Sequence, residues 1–347
     1  MDRKLLSEIP GPLLAWFAGH QRDLPWRRDR EPYHVWLSEI MLQQTRVEAV
    51  KAYYIRFLDA APDVAALAAL PEDRLLKLWE GLGYYNRARN LQKCAKEIVA
   101  RGGAFPRTKS ELMRLPGIGE YTAGAIASIC FDEPAAAVDG NVLRVCARLM
   151  NDERPSDTPA YKKELDAALS EVYPAGHCGD FTQSLMELGA TVCVPNGAPH
   201  CPDCPLHALC RARKAGTALK LPVKLPKRGR RAEQRTVFLL RCGDLIAVRR
   251  RPSKGLLAGL WELPNVDRML DEAGVGVWAT GQGLGETELR RARDGRHIFT
   301  HITWEMRCYT LACERAVPQF TWVTPDTLRG EVSLPTAFRQ FLDLETL

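Results

Sequence analysis

The chain has 347 residues, of which 46% are hydrophobic and 26% are charged. This composition is typical of a folded protein of about two domains, and it excludes a disordered tail protein, a collagen-like repeat and a membrane bundle. The formal net charge is +6, but residues 211–235 alone carry +9 and the rest of the chain sums to −3. The excess positive charge is therefore local, and it indicates an acidic partner for that segment.

The N-terminal residues lack the apolar run of a signal peptide. No segment reaches the roughly 18 consecutive apolar residues of a membrane span. We therefore expect a cytosolic protein without a membrane partner. In a reducing compartment its 11 cysteines would not form a disulfide framework.

Residues 5–217 are expected to be mostly helical, because apolar residues recur at spacings of three and four. One such segment places Glu39 beside Val35, Trp36 and Leu42 on a helix face. A carboxyl group among apolar side chains has a raised pKa and can act as an acid. The alternative is a solvated surface glutamate, which is the commoner state of a helical glutamate.

A Gly-x-Gly turn formed by Gly117 and Gly119 separates two predicted helices, the second of which begins near Glu120. The glycines permit a tight turn, and the free amides that open the second helix would bind an anion such as phosphate. This arrangement resembles the helix-hairpin-helix of DNA repair proteins, which holds backbone phosphates without reading the base sequence. The alternative is an ordinary packing corner between two helices.

Asp139 ends the apolar run 135–138 and precedes a helix that is expected to begin near Asn141. Either residue could simply be the N-cap of that helix. The helix dipole would also keep Asp139 ionised. One neutral and one ionised carboxyl group is the arrangement that glycosidic chemistry needs, although the residues alone do not pair Glu39 with Asp139.

Four cysteines follow with the spacing C-x7-C-x2-C-x5-C, at Cys193, Cys201, Cys204 and Cys210. Such a cluster predicts a metal site in preference to four buried thiols without a ligand. Zinc usually takes two close pairs, whereas only one C-x2-C pair is present. The spacing therefore favours an iron–sulfur cluster, although spacing alone does not settle the metal.

Residues 1–217 are interpreted as one domain, residues 218–235 as a basic linker and residues 236–347 as a second domain. The linker either binds phosphates or is only a solvated tether. Two β-rich segments, 236–242 and 245–248, flank Gly243-Asp244 and predict a hairpin. Residues 297–313 alternate β-branched, aromatic and polar side chains, so an α+β domain is expected.

Jointly, these motifs resemble the MutY adenine DNA glycosylases of the helix-hairpin-helix superfamily. The resemblance runs nearly end to end and is carried by residues 23–27, 38–47, 81–85, 115–119, 138–145, the four cysteines, 255–264 and 299–301. It implies a mainly α helix-hairpin-helix glycosylase fold with an iron–sulfur cluster domain, followed by an α+β Nudix-like domain. It also implies a monomeric, cytoplasmic and nucleoid-associated enzyme that flips out and hydrolytically removes adenine opposite 8-oxoguanine or guanine in double-stranded DNA.

The resemblance also implies residue roles. Glu39 would protonate adenine N7 as the general acid, and Asp139 would stabilise or covalently trap the oxocarbenium sugar, with support from Tyr121 and Asn141. The four cysteines would hold a 4Fe-4S cluster with a structural and DNA-binding role. The adenine pocket would comprise Trp26, Arg27 and Gln183. Residues that fill the base stack or bind the DNA and its lesion would be Leu42, Gln43, Gln44, Thr45, Tyr84, Gly117, Gly119, Phe299, Thr300 and His301.

The chain departs from related sequences at informative positions. Endonuclease III-type enzymes have a lysine nucleophile where this chain has Tyr121, which argues against a pyrimidine-lesion glycosylase with strong lyase activity. The second domain lacks the acidic run that holds magnesium in Nudix hydrolases, which favours recognition over hydrolysis. A non-catalytic DNA-binding or Nudix-like sensor is the remaining alternative, and the presence of both Glu39 and Asp139 argues against it.

Two departures concern the predicted sites themselves. Thr300 replaces the family's serine in the loop that probes 8-oxoguanine, so the hydroxyl is retained and a methyl group is added. The first cysteine gap has seven residues in place of the family's six, and we expect the extra residue to bulge out of the loop. That loop, residues 194–200, also lacks the basic residues often found there, which puts its contact with DNA in doubt.

Overall fold

The chain is divided into two compact units in a computed structural model that describes residues 1–226 and 229–342. The first unit comprises residues 1–69 and 89–226, and the second comprises residues 70–88 and the described residues from Gly229 onward. The second unit thus includes a segment that the sequence analysis assigned to the first domain. The first strand begins at Arg231, so the proposed linker 218–235 ends earlier than expected.

Every regular element in residues 1–226 is a helix, which confirms the prediction that residues 5–217 are mostly helical. Short 3-10 helices lie at Pro25–Arg27, Cys201–Asp203 and Ala218–Lys220. The α-helices are α1 (Arg3–Ser7), α2 (Pro10–His20), α3 (Pro32–Leu42), α4 (Val47–Ala60), α5 (Val64–Ala69), α6 (Glu72–Leu78), α7 (Asn86–Ala100), α8 (Lys109–Leu112), α9 (Glu120–Phe131), α10 (Gly140–Met150), α11 (Pro159–Ser170), α12 (Cys178–Thr191) and α13 (Arg211–Ala215).

Local sequence explains where several of these helices begin. Proline occupies the first turn of α2, α3 and α11, where its missing amide costs nothing. Thr108 caps α8 by accepting from the amide of Glu111 at 3.3 Å, and its hydroxyl donates to the Glu111 carboxylate at 2.8 Å. Thr108 is thus the side-chain N-cap of α8, and the Glu111 carboxylate holds its hydroxyl in place.

The main core of the first unit joins helices that are distant in sequence. Leu6 and Leu13 from the N-terminal helices pack with Val145 of α10, Leu165 of α11 and Leu185 of α12. Each of these side chains is at most 3% exposed, so burial of apolar area fixes how α10, α11 and α12 lie together. These helices carry most of the residues discussed below.

The second unit is built on a mixed sheet of seven strands. The strands are β1 (Arg231–Cys242), β2 (Leu245–Arg250), β3 (Trp261–Glu262), β4 (Asn265–Val266), β5 (Thr287–Ile298), β6 (Ile302–Cys313) and β7 (Thr321–Val323). Their order is β3-β2-β1-β6-β5, and β4 pairs with β1 and β7 with β2. The central pair β1 and β6 is parallel, whereas β5 and β6 are antiparallel. The helices of this unit after β1 are α14 (Glu272–Gly281), α15 (Pro325–Gly330) and α16 (Thr336–Arg339).

Helices cover both faces of this sheet. Val275 of α14 belongs to one apolar cluster, and Phe338 of α16 belongs to the other, which also contains Trp304 of β6. The predicted hairpin at Gly243 is confirmed, because Cys242 of β1 pairs with Leu245 of β2. The α+β assignment of this domain is also confirmed.

The basic run 211–235 is less uniform than its charge suggests. Arg235 is 8% exposed, lies 3.9 Å from the centre of the Trp304 ring and donates to Asn265 at 3.0 Å. The interpretation of this run as linker is therefore wrong at Arg235, which is a core residue of the second unit. Lys227 and Arg228 of the same run lie outside the described residues. In the described ranges, no helix has the length and apolar character needed to cross a membrane.

Candidate active site

Glu39 is a buried carboxyl group on α3. It is 6% exposed, which excludes the solvated alternative, and the phenol of Tyr121 from α9 donates a hydrogen bond to its Oε2. Burial raises the pKa of Glu39 to about 7, and the charge of Asp139 acts in the same direction, against the Tyr121 hydrogen bond and the charge of Arg27. Near neutral pH a substantial fraction of Glu39 is therefore protonated.

Asp139 is the N-cap of α10, which settles the alternative left open between it and Asn141. Its two carboxylate oxygens accept from the amide of Val142 and from Asn141 Nδ2, each at 2.7 Å. Burial raises the pKa of Asp139 above its usual value, although these hydrogen bonds oppose the shift. The helix terminus was expected to keep Asp139 ionised, and burial opposes this effect of the N-cap contacts.

Both carboxyl groups face one cavity of about 680 Å³ in the first unit. The cavity also collects most of the other residues expected at the site. Gln44, which lies two residues after the end of α3, adopts a left-handed backbone conformation with φ of 59°. The lining includes Trp26, Arg27, Leu42, Gln43, Gln44, Thr45, Tyr121, Asn141 and Gln183.

Glu187 of α12 also lines this cavity, and sequence reasoning missed it. It is fully buried and accepts from Arg22 Nε at 2.7 Å and from Arg27 Nη2 at 2.8 Å. Although burial favours the neutral form, these two guanidinium groups lower the pKa of Glu187 below its usual value. Glu187 thus fixes Arg27 at the cavity wall. Glu187 lies four residues after Gln183, so the two share one helix face. This spacing could have predicted from the sequence that Glu187 lies at the same site.

A buried arginine connects Asp139 to the cysteine loop. Arg144 of α10 donates at 2.7 Å to each of three oxygens, namely Asn141 Oδ1, the Gly189 carbonyl and the Cys193 carbonyl. Asn141 in turn donates to Asp139. The side chains of Asn141 and Arg144 therefore connect the Asp139 carboxylate, through hydrogen bonds, to the backbone carbonyl of Cys193.

Gly189 is required for this connection on steric grounds. A Cβ atom at Gly189 would lie 2.5 Å from Cβ and 3.0 Å from Cα of Asn141. Since real carbon atoms do not approach so closely, any side chain would push α12 away from the start of α10. The close helix contact keeps Asn141 in place beside Asp139.

The four predicted cysteine ligands line one small cavity in the first unit. Arg148, one helical turn beyond Arg144, donates to Cys193 Sγ at 3.2 Å and to the Val194 carbonyl at 3.0 Å. The amide of His200 closes the loop by donating to the Val192 carbonyl at 2.9 Å, and residues 195–198 are exposed. In residues 1–226 and 229–342, no set of three or more His, Cys, Asp or Glu side chains is placed as ligands of one metal ion.

The turn between α8 and α9 has the expected hairpin form, and its two glycines have different roles. Gly117 has φ of +76°, and a Cβ atom there would lie 2.8 Å from Asn90 Cβ. Gly119 has an ordinary extended conformation and is the N-cap of α9, without a side-chain cap for the amides that follow. The positive φ therefore explains Gly117, whereas Gly119 leaves the helix N-terminus open.

The remaining predicted residues lie in the second unit. The loop of Phe299, Thr300 and His301 is the turn between β5 and β6. Within the same unit, Thr300 Oγ1 lies 3.0 Å from the hydroxyl of Tyr84. Tyr84 is 49% exposed and has φ of 48°. Two residues assigned to lesion contact from separate motifs thus meet in space.

The chain is similar in sequence and in fold to known DNA repair proteins. Residues 37–173 match the model of the HhH-GPD superfamily of base excision DNA repair proteins, and residues 236–344 match a NUDIX domain. An adenine DNA glycosylase from Rattus norvegicus is 36% identical, over 94% of this chain and 76% of the relative.

Solved structures show the same helical fold. A thermostable thymine-DNA glycosylase has a TM-score of 0.54 and 29% identity, over 61% of this chain and 97% of its own. A non-covalent endonuclease III–DNA complex has a TM-score of 0.53 and 26% identity, over 62% and 98%. Endonuclease III-like glycosylases commonly carry an iron–sulfur cluster.

The fold and the family match thus define a helix-hairpin-helix DNA glycosylase of base excision repair, which is an enzyme that hydrolyses N-glycosyl bonds. Enzymes of this class remove several different bases. The similarity to adenine DNA glycosylases extends over nearly the whole length of the chain, and it shows to which of these enzymes the chain is related. This chain belongs to the adenine DNA glycosylase family.

Proposed function

We propose that this chain removes adenine mispaired with 8-oxoguanine, or with guanine, from duplex DNA by hydrolysis and without strand cleavage. The observation that carries the proposal is the convergence of Glu39 and Asp139 on one cavity, with Glu39 at a pKa of about 7. Retaining and inverting glycosidases likewise pair an acid with a carboxylate.

Glu39 supplies the proton that the leaving base requires. Adenine leaves as a neutral base when N7 is protonated as the glycosidic bond breaks, and the carboxyl group of Glu39 is the donor. A general acid is most effective when its pKa lies near the working pH, which burial accomplishes here. Burial also raises the pKa of Tyr121 well above its usual value, so its phenol stays protonated and continues to orient Glu39.

Asp139 stabilises the positive charge that develops on the sugar. Its carboxylate is preorganised by the Val142 amide and by Asn141, so little reorganisation is needed as the oxocarbenium ion forms. Water then adds to the sugar and leaves an abasic site. Tyr121 occupies the position of the lyase lysine, and a phenol cannot form the Schiff base that strand cleavage requires.

Contacts with DNA are assigned to both units. The uncapped N-terminus of α9 provides amides for a backbone phosphate. Tyr84 and Thr300, which meet in the second unit, are assigned to the base opposite the adenine. Extrusion of the adenine leaves a gap in the base stack that an exposed aromatic ring such as Tyr84 fills.

We also propose that Cys193, Cys201, Cys204 and Cys210 hold a 4Fe-4S cluster. The four residues line one cavity, although within the described residues their side chains are not placed around one ion position. Four cysteine thiolates are the usual ligand set of a 4Fe-4S cluster, and the Arg148 guanidinium beside Cys193 would offset its negative charge. When bound, the cluster would cross-link the loop, and it would take no part in bond cleavage.

The purified protein is expected to be brown, with about four iron atoms and four sulfides per chain. Cys201→Ser should lose most of this iron because it removes one thiolate ligand. Cys242→Ser, which changes a partly buried cysteine of the second unit, serves as the matched control and should retain it. A colourless protein that contains zinc would contradict the cluster assignment.

The proposed activity is tested by single-turnover cleavage of a duplex with one adenine opposite 8-oxoguanine. We expect a break in the adenine strand only after alkali, because hydrolysis leaves an intact backbone at the abasic site. A duplex with adenine opposite thymine is the control and should stay intact. No abasic site in the first duplex would refute the proposed function, and a break without alkali would favour the lyase alternative.

A further inference from the structure

Three cationic side chains line the cavity among the residues that the structure describes, and they differ in their partners. Arg22 and Arg27 both bind Glu187, at 2.7 and 2.8 Å, so one buried carboxylate holds both side chains and offsets one of their two charges. Lys162 of α11 is exposed, and its amine forms no hydrogen bond or ion pair with any residue in 1–226 or 229–342. Lys162 therefore presents an available positive charge at the cavity.

The backbone of Lys162 is fixed relative to the reacting groups. The preceding residue, Tyr161, is 3% exposed and packs in the same apolar cluster as Val142 and Leu143 of α10. Leu143 itself lines the cavity, and Asp139 caps the same helix. The first turn of α11 is thus anchored to the helix that orients Asp139, whereas the Lys162 side chain remains free to reach a ligand.

The charges of the cavity indicate what that ligand is. Glu39, Asp139 and Glu187 place three carboxyl groups in its wall, of which Glu39 is partly protonated near neutral pH. A nucleotide that enters carries a phosphate on either side of its sugar. Phosphates near the ionised carboxylates need a cation, and two of the three cations are held by Glu187. We propose that Lys162 Nζ binds a backbone phosphate next to the extrahelical adenosine and so positions the nucleotide in the cavity.

This inference rests on the proposed function, but its test does not require base release. Binding is measured with a duplex that carries 2′-fluoro-2′-deoxyadenosine, whose glycosidic bond resists hydrolysis, opposite 8-oxoguanine. Lys162→Ala should weaken this binding about tenfold near 0.1 M salt, and the slope of log affinity against log salt should fall by about one. Binding to an undamaged duplex should be unchanged, because no nucleotide enters the cavity.

Lys163→Ala is the matched control, since Lys163 is the next residue of α11, is equally exposed and does not line the cavity. It should bind both duplexes within about twofold of the unmodified protein. Lys162→Arg should restore most of the affinity, because a guanidinium also binds phosphate. These two results would show that the charge at position 162 is responsible, and not the packing of α11.

Two outcomes would overturn the inference. One is that Lys162→Ala and Lys163→Ala have the same affinity and salt slope. The other is a borohydride-stable cross-link to cleaved DNA that requires Lys162, which would mean that the amine attacks the sugar and does not anchor a phosphate. If the unmodified protein releases no adenine while Lys162 alone changes the salt slope, the proposed function fails and the phosphate contact stands.

Discussion

Glu39→Gln is expected to slow single-turnover release of adenine by about 10³-fold. Glutamine has nearly the same shape, so it fills the same buried position on α3 and still accepts the hydrogen bond of Tyr121. It has no proton to give to the departing base. The affinity for a duplex with adenine opposite 8-oxoguanine should therefore persist while base release is lost.

Glu31→Gln provides the matched control for this substitution. Glu31 is the exposed N-cap of the same helix and does not line the cavity. The Glu31→Gln variant should therefore release adenine at a rate within about twofold of the unmodified protein. Normal release by Glu39→Gln would show that another group is the acid.

Base release by the unmodified protein should also fall as the pH rises above about 7, because Glu39 then loses its proton.

Asp139→Asn is expected to lower the rate of adenine release by about 10³-fold through loss of a single charge. Asparagine is as good an N-cap as aspartate, and its side-chain oxygen can still accept from the amide of Val142, but its NH2 group would face Asn141 Nδ2, which donates to Asp139. The free energy of unfolding should therefore fall by about 1–3 kcal/mol, through the loss of this one hydrogen bond. The developing charge on the sugar, however, would no longer face a carboxylate.

Asp271→Asn is the control for this variant, because Asp271 caps α14 in the second unit through the amide of Gly274 at 2.8 Å. It should leave both stability and base release unchanged. Measurement of single-turnover rates and thermal melts for both variants separates the charge from the cap. If Asp139→Asn retained more than about a tenth of the rate, electrostatic stabilisation by Asp139 would be disproved.

Local sequence was sufficient to predict much of this architecture. Apolar spacing identified the helices, Gly243-Asp244 located a hairpin, and the run before Asp139 located the start of α10. Each of these signals acts over a few residues, through capping, turn geometry or burial of one helix face. The resemblance to a known family then supplied the pairing of Glu39 with Asp139, which no local rule provides.

Other features depend on contacts between distant residues, and these were missed. Glu187 lines the cavity, where it accepts hydrogen bonds from Arg22 and Arg27, which lie some 160 residues earlier in the chain. Arg235 belongs to a run of basic residues, yet Trp304 and Asn265 take it into the core. The pKa of Asp139 likewise depends on how deeply the surrounding helices bury it, as well as on its position at a helix terminus.

The membership of residues 70–88 in the second unit bears on the modularity of this protein. Lys77 donates to the Val332 carbonyl at 2.9 Å, Glu80 accepts from the Leu334 amide at 2.9 Å, and Asp73 pairs with Arg250 at 2.6 Å. A chain shortened after residue 226 would keep every residue that lines the cavity but would remove these partners of all three residues. Residue 226 is therefore not a point at which the chain can be cut without loss to the remaining part. Exchange of everything after it would replace the sheet and leave residues 70–88 without the elements they contact.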